Sequence, residues 1–77
     1  MVKIYSTPSC VYCHTLKSYL KEKNIQFEDI DVSKDDKALD EMVEKSGQMG
    51  VPVVNIDGEI VIGFDKKKIN ELLQIKE

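Results

Sequence analysis

The spacing of the apolar positions changes along the chain, first from a strand-like run to a helical stripe. Residues Val2 to Tyr5 form a short β-type run, and the loop after it holds Ser9, a residue that favours the N-cap of a helix. The helix that follows is predicted to end near Lys23, shortly after its apolar stripe. The stripe consists of Tyr12, Leu16, Tyr19 and Leu20.

A second strand and a second helix are predicted in the next part of the chain. Apolar and polar residues alternate over residues 25–27, but the apolar positions then change phase to Ile30 and Val32, so this strand either buries both faces or ends in a bulge. Ser33, with an acid three residues later, resembles a capping box, and Gly47 fits the end of the helix that it starts. The stripe of this helix consists of Leu39, Met42 and Val43.

The rest of the chain predicts a hairpin and a third helix. Val51 to Ile56 is a near-continuous apolar run with Pro52 near its start, where a strand tolerates proline. Asp57-Gly58 is a strong two-residue turn signal, so Glu59 to Ile62 should return antiparallel to that run. Asp65 is suited to cap the last helix. The apolar positions of this helix are Ile69, Leu72 and Leu73.

These elements have the order β-α-β-α-β-β-α and predict an α/β fold in one domain that covers residues 1–77. Two strands joined through a helix pair in parallel with a right-handed crossover, whereas the two strands of a hairpin are antiparallel. We therefore expect a four-stranded mixed sheet flanked by three helices. Typical domains have about 50 to 250 residues, so a chain of 77 residues has no room for a second one.

Composition and charge argue against several classes of function. Hydrophobic residues make up 42% of the chain and charged residues 32%, the mix of an ordinary soluble globular domain. The net charge is −3, from 11 lysines and 14 acids, and the chain has no arginine, the residue that nucleic-acid binders use for forked contacts. No run approaches the roughly 18 apolar residues of a membrane span, and no signal peptide is predicted. We expect a cytoplasmic monomer without nucleic-acid or membrane partners.

The charges are unevenly distributed. Residues 28–44 hold two lysines and eight acids, whereas residues 1–27 hold four lysines and one acid. An acidic second helix is therefore expected to lie away from a mildly basic active face.

The third helix begins with residues that are unfavourable there. Lys66, Lys67 and Lys68 occupy its first turn, where the helix dipole disfavours cations by about 0.3 to 1 kcal/mol each.

The two cysteines of the chain, Cys10 and Cys13, indicate chemistry rather than a structural disulfide. A bridge between them would close a short ring and stabilise the fold by roughly 2 kcal/mol, against about 3 kcal/mol for a loop of about fifteen residues. Both lie where the first strand leads into the first helix, and open α/β sheets present ligands at such strand ends. The free N–H groups at the helix start favour a thiolate at Cys10, whereas Cys13, one turn later, is placed to resolve a mixed disulfide.

Other interpretations of the same residues stay open. The run from Cys10 to His14 matches the c-type haem attachment pattern, but that modification needs an exported or organellar protein and a haem pocket. Zinc would find three ligands here, whereas a closed structural site uses four, and the chain has no other cysteine or histidine. His14 is most simply an exposed helix residue, with a partner contact or tuning of the thiols as alternatives. We expect no bound metal or cofactor, and a purely structural domain is a further alternative.

Four features, in order along nearly the whole chain, resemble the glutaredoxin branch of the thioredoxin superfamily. They are Tyr5 with the loop into Cys10-Val11-Tyr12-Cys13, the strand from Phe27 to Asp31, Val51-Pro52 at the third strand, and Gly63-Phe64-Asp65 before the last helix. The resemblance implies a thioredoxin-like fold and a cis Val51–Pro52 peptide bond beside the dithiol. It also implies that the Val51 backbone pairs with an extended thiol substrate.

The resemblance further implies a thiol-disulfide oxidoreductase that carries electrons in cell redox homeostasis. Reduced Cys10 would attack a protein disulfide or a glutathione mixed disulfide, and Cys13 or glutathione would resolve the product. Glutathione is then a co-substrate, and disulfide-containing proteins are the other substrates. The residues that the resemblance assigns to substrate or glutathione binding are Tyr12, Gln48, Val51, Pro52, Gly63, Phe64, Asp65 and Lys66.

Several positions depart from the glutathione-using glutaredoxins. Those proteins commonly carry a lysine where this chain has Thr7, a second acid where it has Lys66, and a proline where it has Val11. Lys66 is either part of a solvated face, or it supplies the positive charge that is missing because this chain has Thr7 in place of that lysine. The pattern resembles short bacterial glutaredoxin-like proteins, a group near the redoxins that serve ribonucleotide reductase and draw electrons from thioredoxin reductase. Glutathione or thioredoxin reductase is thus the expected donor. The alternative is a carrier in which Cys10 and external glutathione hold an iron-sulfur cluster between two chains.

Overall fold

A four-stranded sheet carries three helices in the computed structural model, which describes residues 2–75. Its strands are β1 (Val2–Ser6), β2 (Glu28–Asp31), β3 (Val53–Ile56) and β4 (Glu59–Ile62), and its helices are α1 (Val11–Glu22), α2 (Asp36–Ser46) and α3 (Lys66–Leu73). The strand order is β2-β1-β3-β4, with β1 parallel to β2 and β3 antiparallel to both of its neighbours. The predicted element order and mixed sheet are confirmed.

The sheet separates two hydrophobic cores, because neighbouring residues of a strand face opposite sides. Ile4 of β1 packs with Leu16 of α1 and Ile69 of α3 on one side. Tyr5, the next residue of β1, packs with Met42 of α2 on the other side. Both faces of β3 are therefore covered, which explains its near-continuous apolar sequence. Within residues 2–75, no helix has the length and apolar character needed to cross a membrane.

The second strand begins later than predicted. β2 starts at Glu28 rather than in residues 25–27, and its pairing with β1 continues without interruption over all four residues. It forms the edge of the sheet and its side chains are exposed or half-buried, so it neither buries both faces nor contains a bulge. Ile25 and Phe27 instead pack against the core beneath α1 and α3 before the strand begins, which accounts for the change of phase in the sequence.

Two predicted helix starts are wrong. Helix α1 is capped by Cys10 rather than by Ser9. Helix α2 is capped by Asp35, which accepts the N–H of Ala38, rather than by Ser33. The N–H and the hydroxyl of Ser33 both donate to the carboxylate of Asp31. The hydroxyl bond also lowers the pKa of Asp31 below its ordinary value. These bonds place Ser33, two residues before the cap of α2, in an Asx turn that starts at Asp31.

Three other local predictions are confirmed. The Asp65 side chain accepts the N–H of Lys68 at 3.2 Å and caps α3. Gly47 ends α2 at a φ of 74°, in the left-handed region that glycine reaches without steric strain. The turn between β3 and β4 has positive φ at both Asp57 and Gly58, as a tight hairpin requires.

Tyr5 ties the central strand β1 to α2. Its side chain is fully buried, and its hydroxyl donates to Oε1 of Glu41 at 3.0 Å. The same Glu41 oxygen accepts from Nζ of Lys45 at 2.9 Å. Burial first, and then the bond to Glu41, raise the pKa of Tyr5 to about 12. The hydroxyl therefore stabilises the fold in its protonated form.

The ionisation of Tyr5 should be visible as a separate alkaline step. Because the pKa of Tyr5 in the folded protein lies above the unfolded value of about 10, its contribution to stability is complete below pH 10 and is lost as the pH rises through about 12. In an absorbance titration of the folded protein, Tyr5→Phe should remove a step near pH 12, whereas Tyr12→Phe should leave it in place. A late step that survives in Tyr5→Phe would show that the assignment is wrong.

Candidate active site

The thiol of Cys10 caps the first helix. Strand β1 ends at Ser6, and after a short loop Cys10 takes an extended backbone conformation one residue before α1. Its Sγ accepts the N–H of Cys13 at 3.2 Å, in the position where the oxygen of a serine or aspartate caps other helices. This N–H and the positive end of the helix dipole both stabilise negative charge on the sulfur. The sulfur that caps α1 is therefore also placed to act as a nucleophile.

Cys13 lies in a very different environment from Cys10. Both are free thiols, but Cys13 is fully buried, whereas Cys10 is half-exposed. Burial, followed by the hydrogen bond with Cys10, raises the pKa of Cys13 to about 11, although the Thr7 backbone acts in the opposite direction. At neutral pH Cys13 is consequently a protonated thiol held next to the exposed one.

The Val51–Pro52 peptide bond adjoins the dithiol and is cis, as the resemblance implied. The Cys10 thiol donates to the carbonyl oxygen of Val51 across 3.9 Å. The buried Pro52 accepts the N–H of Gly63 at 2.8 Å, so the turn after β4 is attached to the same loop. The structure thus brings together five predicted site residues from three parts of the chain: Cys10, Cys13, Val51, Pro52 and Gly63.

Gln48, another predicted site residue, shapes the loop that leads to Val51. Its side-chain Nε2 donates to the carbonyl of Gly50 at 2.9 Å, and its Oε1 accepts the N–H of Gly50 at 2.7 Å. A Cβ on Gly50 would lie 2.6 Å from that Oε1, so the amide keeps this position only beside a glycine. Both ends of the Gln48 amide are thus engaged within its own loop.

The remaining predicted residues near α3 contact α1 or their own helix. The ring of Phe64 packs on the ring of Tyr19 with centroids 5.7 Å apart. The ammonium of Lys66 lies 5.2 Å from the centroid of the same Tyr19 ring. Asp65 caps α3 through its carboxylate. Phe64 and Lys66 therefore border the outer side of α1, where His14 and Ser18 line the same shallow groove.

Three exposed apolar side chains follow Cys10 in sequence or lie in the loop that leads to Val51. Val11 and Tyr12, which follow Cys10, are 74% and 69% exposed, and Met49, two residues before Val51, is 68% exposed. The sequence analysis assigned a site role to Tyr12 but missed Val11 and Met49. The sequence signal for Met49 was its position between Gly47 and Gly50. A loop flanked by glycines gives a methionine no hydrophobic core to pack against.

His14 makes a contact that its sequence position does not predict. It is exposed on α1, as expected, but its Nε2 lies 2.8 Å from the carbonyl oxygen of Pro8 in the loop before Cys10. A carbonyl only accepts hydrogen bonds, so Nε2 carries the proton in this contact. The ring therefore bridges α1 and the active-site loop. In residues 2–75 no cluster of three or more His, Cys, Asp or Glu side chains is suited to hold a metal ion.

Similarity to known proteins extends over nearly the whole chain. A profile of the glutaredoxin family matches residues 2–61. An uncharacterized glutaredoxin-like 8.6 kDa protein in the rubredoxin operon of Clostridium pasteurianum is 53% identical over 74 residues, which are 96% of this chain and 99% of that one. A mutant of the thioredoxin-like protein BC3987 has a TM-score of 0.92 at 36% identity, over 97% of this chain and 96% of that one. The glutaredoxin-like protein NrdH-redoxin of Escherichia coli has a TM-score of 0.81 at 31% identity, over 92% of each chain.

The two thiols should differ strongly in reactivity. In the reduced protein at pH 7, Cys10 should react with iodoacetamide at least about tenfold faster than Cys13, because burial keeps Cys13 protonated and out of contact with the reagent. Peptide mapping by mass spectrometry after partial labelling measures both rates. The rate at Cys13 should stay low in the Cys10→Ser variant, whose serine preserves a capping group. Equal rates in the native protein would contradict the asymmetry.

Proposed function

The chain belongs to the glutaredoxin family, and on that premise we propose that it reduces disulfides in other proteins, with Cys10 as the nucleophile and Cys13 as the resolving thiol. The observation that carries this proposal is the N–H of Cys13 that caps the sulfur of the half-exposed Cys10 while the thiol of Cys13 is itself buried. One thiol is thereby activated and accessible, and the other is reserved for the second step.

The reaction then has two exchange steps. The Cys10 thiolate attacks one sulfur of the substrate disulfide, a Cys10–substrate disulfide forms, and the other substrate sulfur leaves as a thiolate that takes up a proton. Cys13 next loses its proton and attacks Sγ of Cys10, which releases the second substrate thiol and leaves a Cys10–Cys13 disulfide. The substrate gains two electrons and two protons, and the protein dithiol supplies them.

The surroundings of Cys10 assign roles to other residues in these steps. The carbonyl of Val51, 3.9 Å from Sγ of Cys10, offers a backbone acceptor to an extended substrate chain. The exposed Val11 and Tyr12, beside Cys10 in sequence, and Met49, two residues before Val51, offer apolar contacts to the substrate. Such a surface suits a protein segment, which brings apolar side chains with it, better than a small charged thiol.

For the electron donor, we propose thioredoxin reductase rather than glutathione. Glutathione carries two carboxylates. At the positions where the resemblance places groups that bind them, this chain has a side chain that is uncharged or that already makes another contact. Thr7 brings no charge, the Gln48 amide is engaged by Gly50, and the Lys66 ammonium lies over the Tyr19 ring. The similar NrdH-redoxin of Escherichia coli is described as having a thioredoxin-like activity profile, which supports the same choice.

The roles of the two cysteines predict different defects in their serine variants. With insulin as the disulfide substrate, Cys10→Ser should lower the reduction rate by about 100-fold or more, because the nucleophile is lost. Cys13→Ser should still attack and should accumulate a mixed disulfide through Cys10, visible by mass spectrometry of the acid-quenched reaction. Ser9→Ala, a change at the exposed neighbouring residue, is the control and should retain activity. A mixed disulfide that forms through Cys13 instead would reverse the assignment.

The donor is tested by supplying two electron sources to the oxidised protein. NADPH with thioredoxin reductase should reduce it at least about tenfold faster than glutathione with glutathione reductase, a difference of roughly 1.4 kcal/mol in activation free energy. If glutathione is the faster donor, the proposal for the donor is wrong. In that case Lys66→Glu should raise the apparent Michaelis constant for glutathione and leave a small dithiol unaffected.

A further inference from the structure

The first turn of α3 carries three exposed lysines, which we call the α3 lysine patch: Lys66, Lys67 and Lys68. The free N–H groups at this end of the helix make cations unfavourable, and the first turn holds no acid. Within residues 2–75, no acidic side chain lies at salt-bridge distance from Lys67 or Lys68. The positive charge of these two lysines is therefore directed into solvent rather than balanced within the fold.

A short segment connects the α3 lysine patch to the loop that lies against the dithiol. The N–H of Gly63 donates to the carbonyl of Pro52, and the residue before Pro52 has its own carbonyl 3.9 Å from Sγ of Cys10. Three residues lead from Gly63 to Lys66, a span of at most about 11 Å even when fully extended. Lys67 and Lys68 follow directly in the first turn of α3. The Debye length is about 30 Å at about 0.01 M salt, so at low salt these lysines attract a substrate that approaches the loop beside Cys10.

The two helix layers differ in charge by six units. Helices α1 and α3 with their caps, residues 10–23 and 65–74, hold six lysines and three acids, a net charge of +3. Helix α2 with its caps, residues 35–47, holds two lysines and five acids, a net charge of −3, and it lies on the other face of the sheet. A charged partner is therefore oriented by the molecule before it makes contact.

We propose that the α3 lysine patch is the docking flank for a disulfide-bearing protein segment with acidic side chains next to its disulfide. This inference rests on the proposed function and specifies the substrate class. The exposed Val11, Tyr12 and Met49 contact the apolar part of the segment, and Lys67 and Lys68 attract its carboxylates. Exposed charges of this kind raise the rate of association, and this effect becomes smaller as salt is added. We therefore expect the lysines to change kcat/KM and not the rate of the chemical step.

Two synthetic disulfide peptides of equal length, one with glutamates and one with lysines beside the cysteines, test the proposal. At low salt the native protein, recycled by dithiothreitol, should reduce the acidic peptide with a kcat/KM about fivefold higher than that of the basic one. The preference should vanish near about 1 M salt, where the Debye length is only about 3 Å. Equal values for both peptides at low salt would overturn the proposal.

Charge reversal identifies the residues responsible. The double variant Lys67→Glu/Lys68→Glu should invert the preference between the peptides, and it should fold at least as stably as the native protein because acids suit the first turn of a helix. The matched control, Lys34→Glu/Lys37→Glu, makes the same change in net charge beside α2 and should retain the preference for the acidic peptide. A control that inverts the preference equally would overturn the proposal, because net charge alone would then explain the effect.

Two further substrates distinguish a failure of the docking proposal from a failure of the proposed function. One is hydroxyethyl disulfide, which is uncharged, and the other is glutathione disulfide, which is a small anion. Hydroxyethyl disulfide should be reduced equally by the native protein and by Lys67→Glu/Lys68→Glu. If the native protein fails to reduce this compound and both peptides, the proposed function is wrong, and the docking proposal with it. If hydroxyethyl disulfide is reduced but the peptides show no preference, only the docking proposal is wrong. If charge reversal slows glutathione disulfide and not the acidic peptide, the patch serves glutathione and the proposal is overturned.

Discussion

The hydrogen bond from the N–H of Cys13 to Sγ of Cys10 is the interaction on which the proposed chemistry of the molecule depends. Every helix begins with N–H groups that need acceptors, and here a sulfur supplies one of them. The structural requirement of α1 and the chemical requirement of a stabilised thiolate are therefore met by one contact. A nucleophile at the start of a helix needs no enclosed cavity, so the proposed reaction can take place on the surface of a small domain.

The hydrophobic core sets the direction of this contact. Leu16 and Leu20 are fully buried against the sheet, and they fix the face of α1 that turns inward. Cys13 lies on that inward face, three residues before Leu16, whereas Val11 and Tyr12 lie on the outward side. The difference between an accessible thiol and a buried one is thus a consequence of helix packing. In the proposed reaction, burial holds the proton on Cys13 until Cys10 has formed its mixed disulfide.

The sequence predicted what local signals determine and missed what the folded loops determine. Asp65, Gly47 and the Asp57-Gly58 turn behave as expected because each acts within a few residues of its own position. The caps at Ser9 and Ser33 were wrong because another acceptor, the Cys10 sulfur or the Asp35 carboxylate, accepts the first-turn N–H instead. The bonds of Gln48 to Gly50 and of His14 to Pro8 depend on loop conformations that no periodicity encodes.

The most direct test of this account is an NMR titration of the Cys13 amide proton. If the N–H of Cys13 caps the Cys10 sulfur, its resonance should shift as the Cys10 thiol ionises, and the shift should disappear in Cys10→Ser. The neighbouring amide of Thr15, which does not contact that sulfur, should move much less. A Cys13 amide that is insensitive to the ionisation of Cys10 would show that the sulfur does not cap α1, and the account of its activation would be wrong.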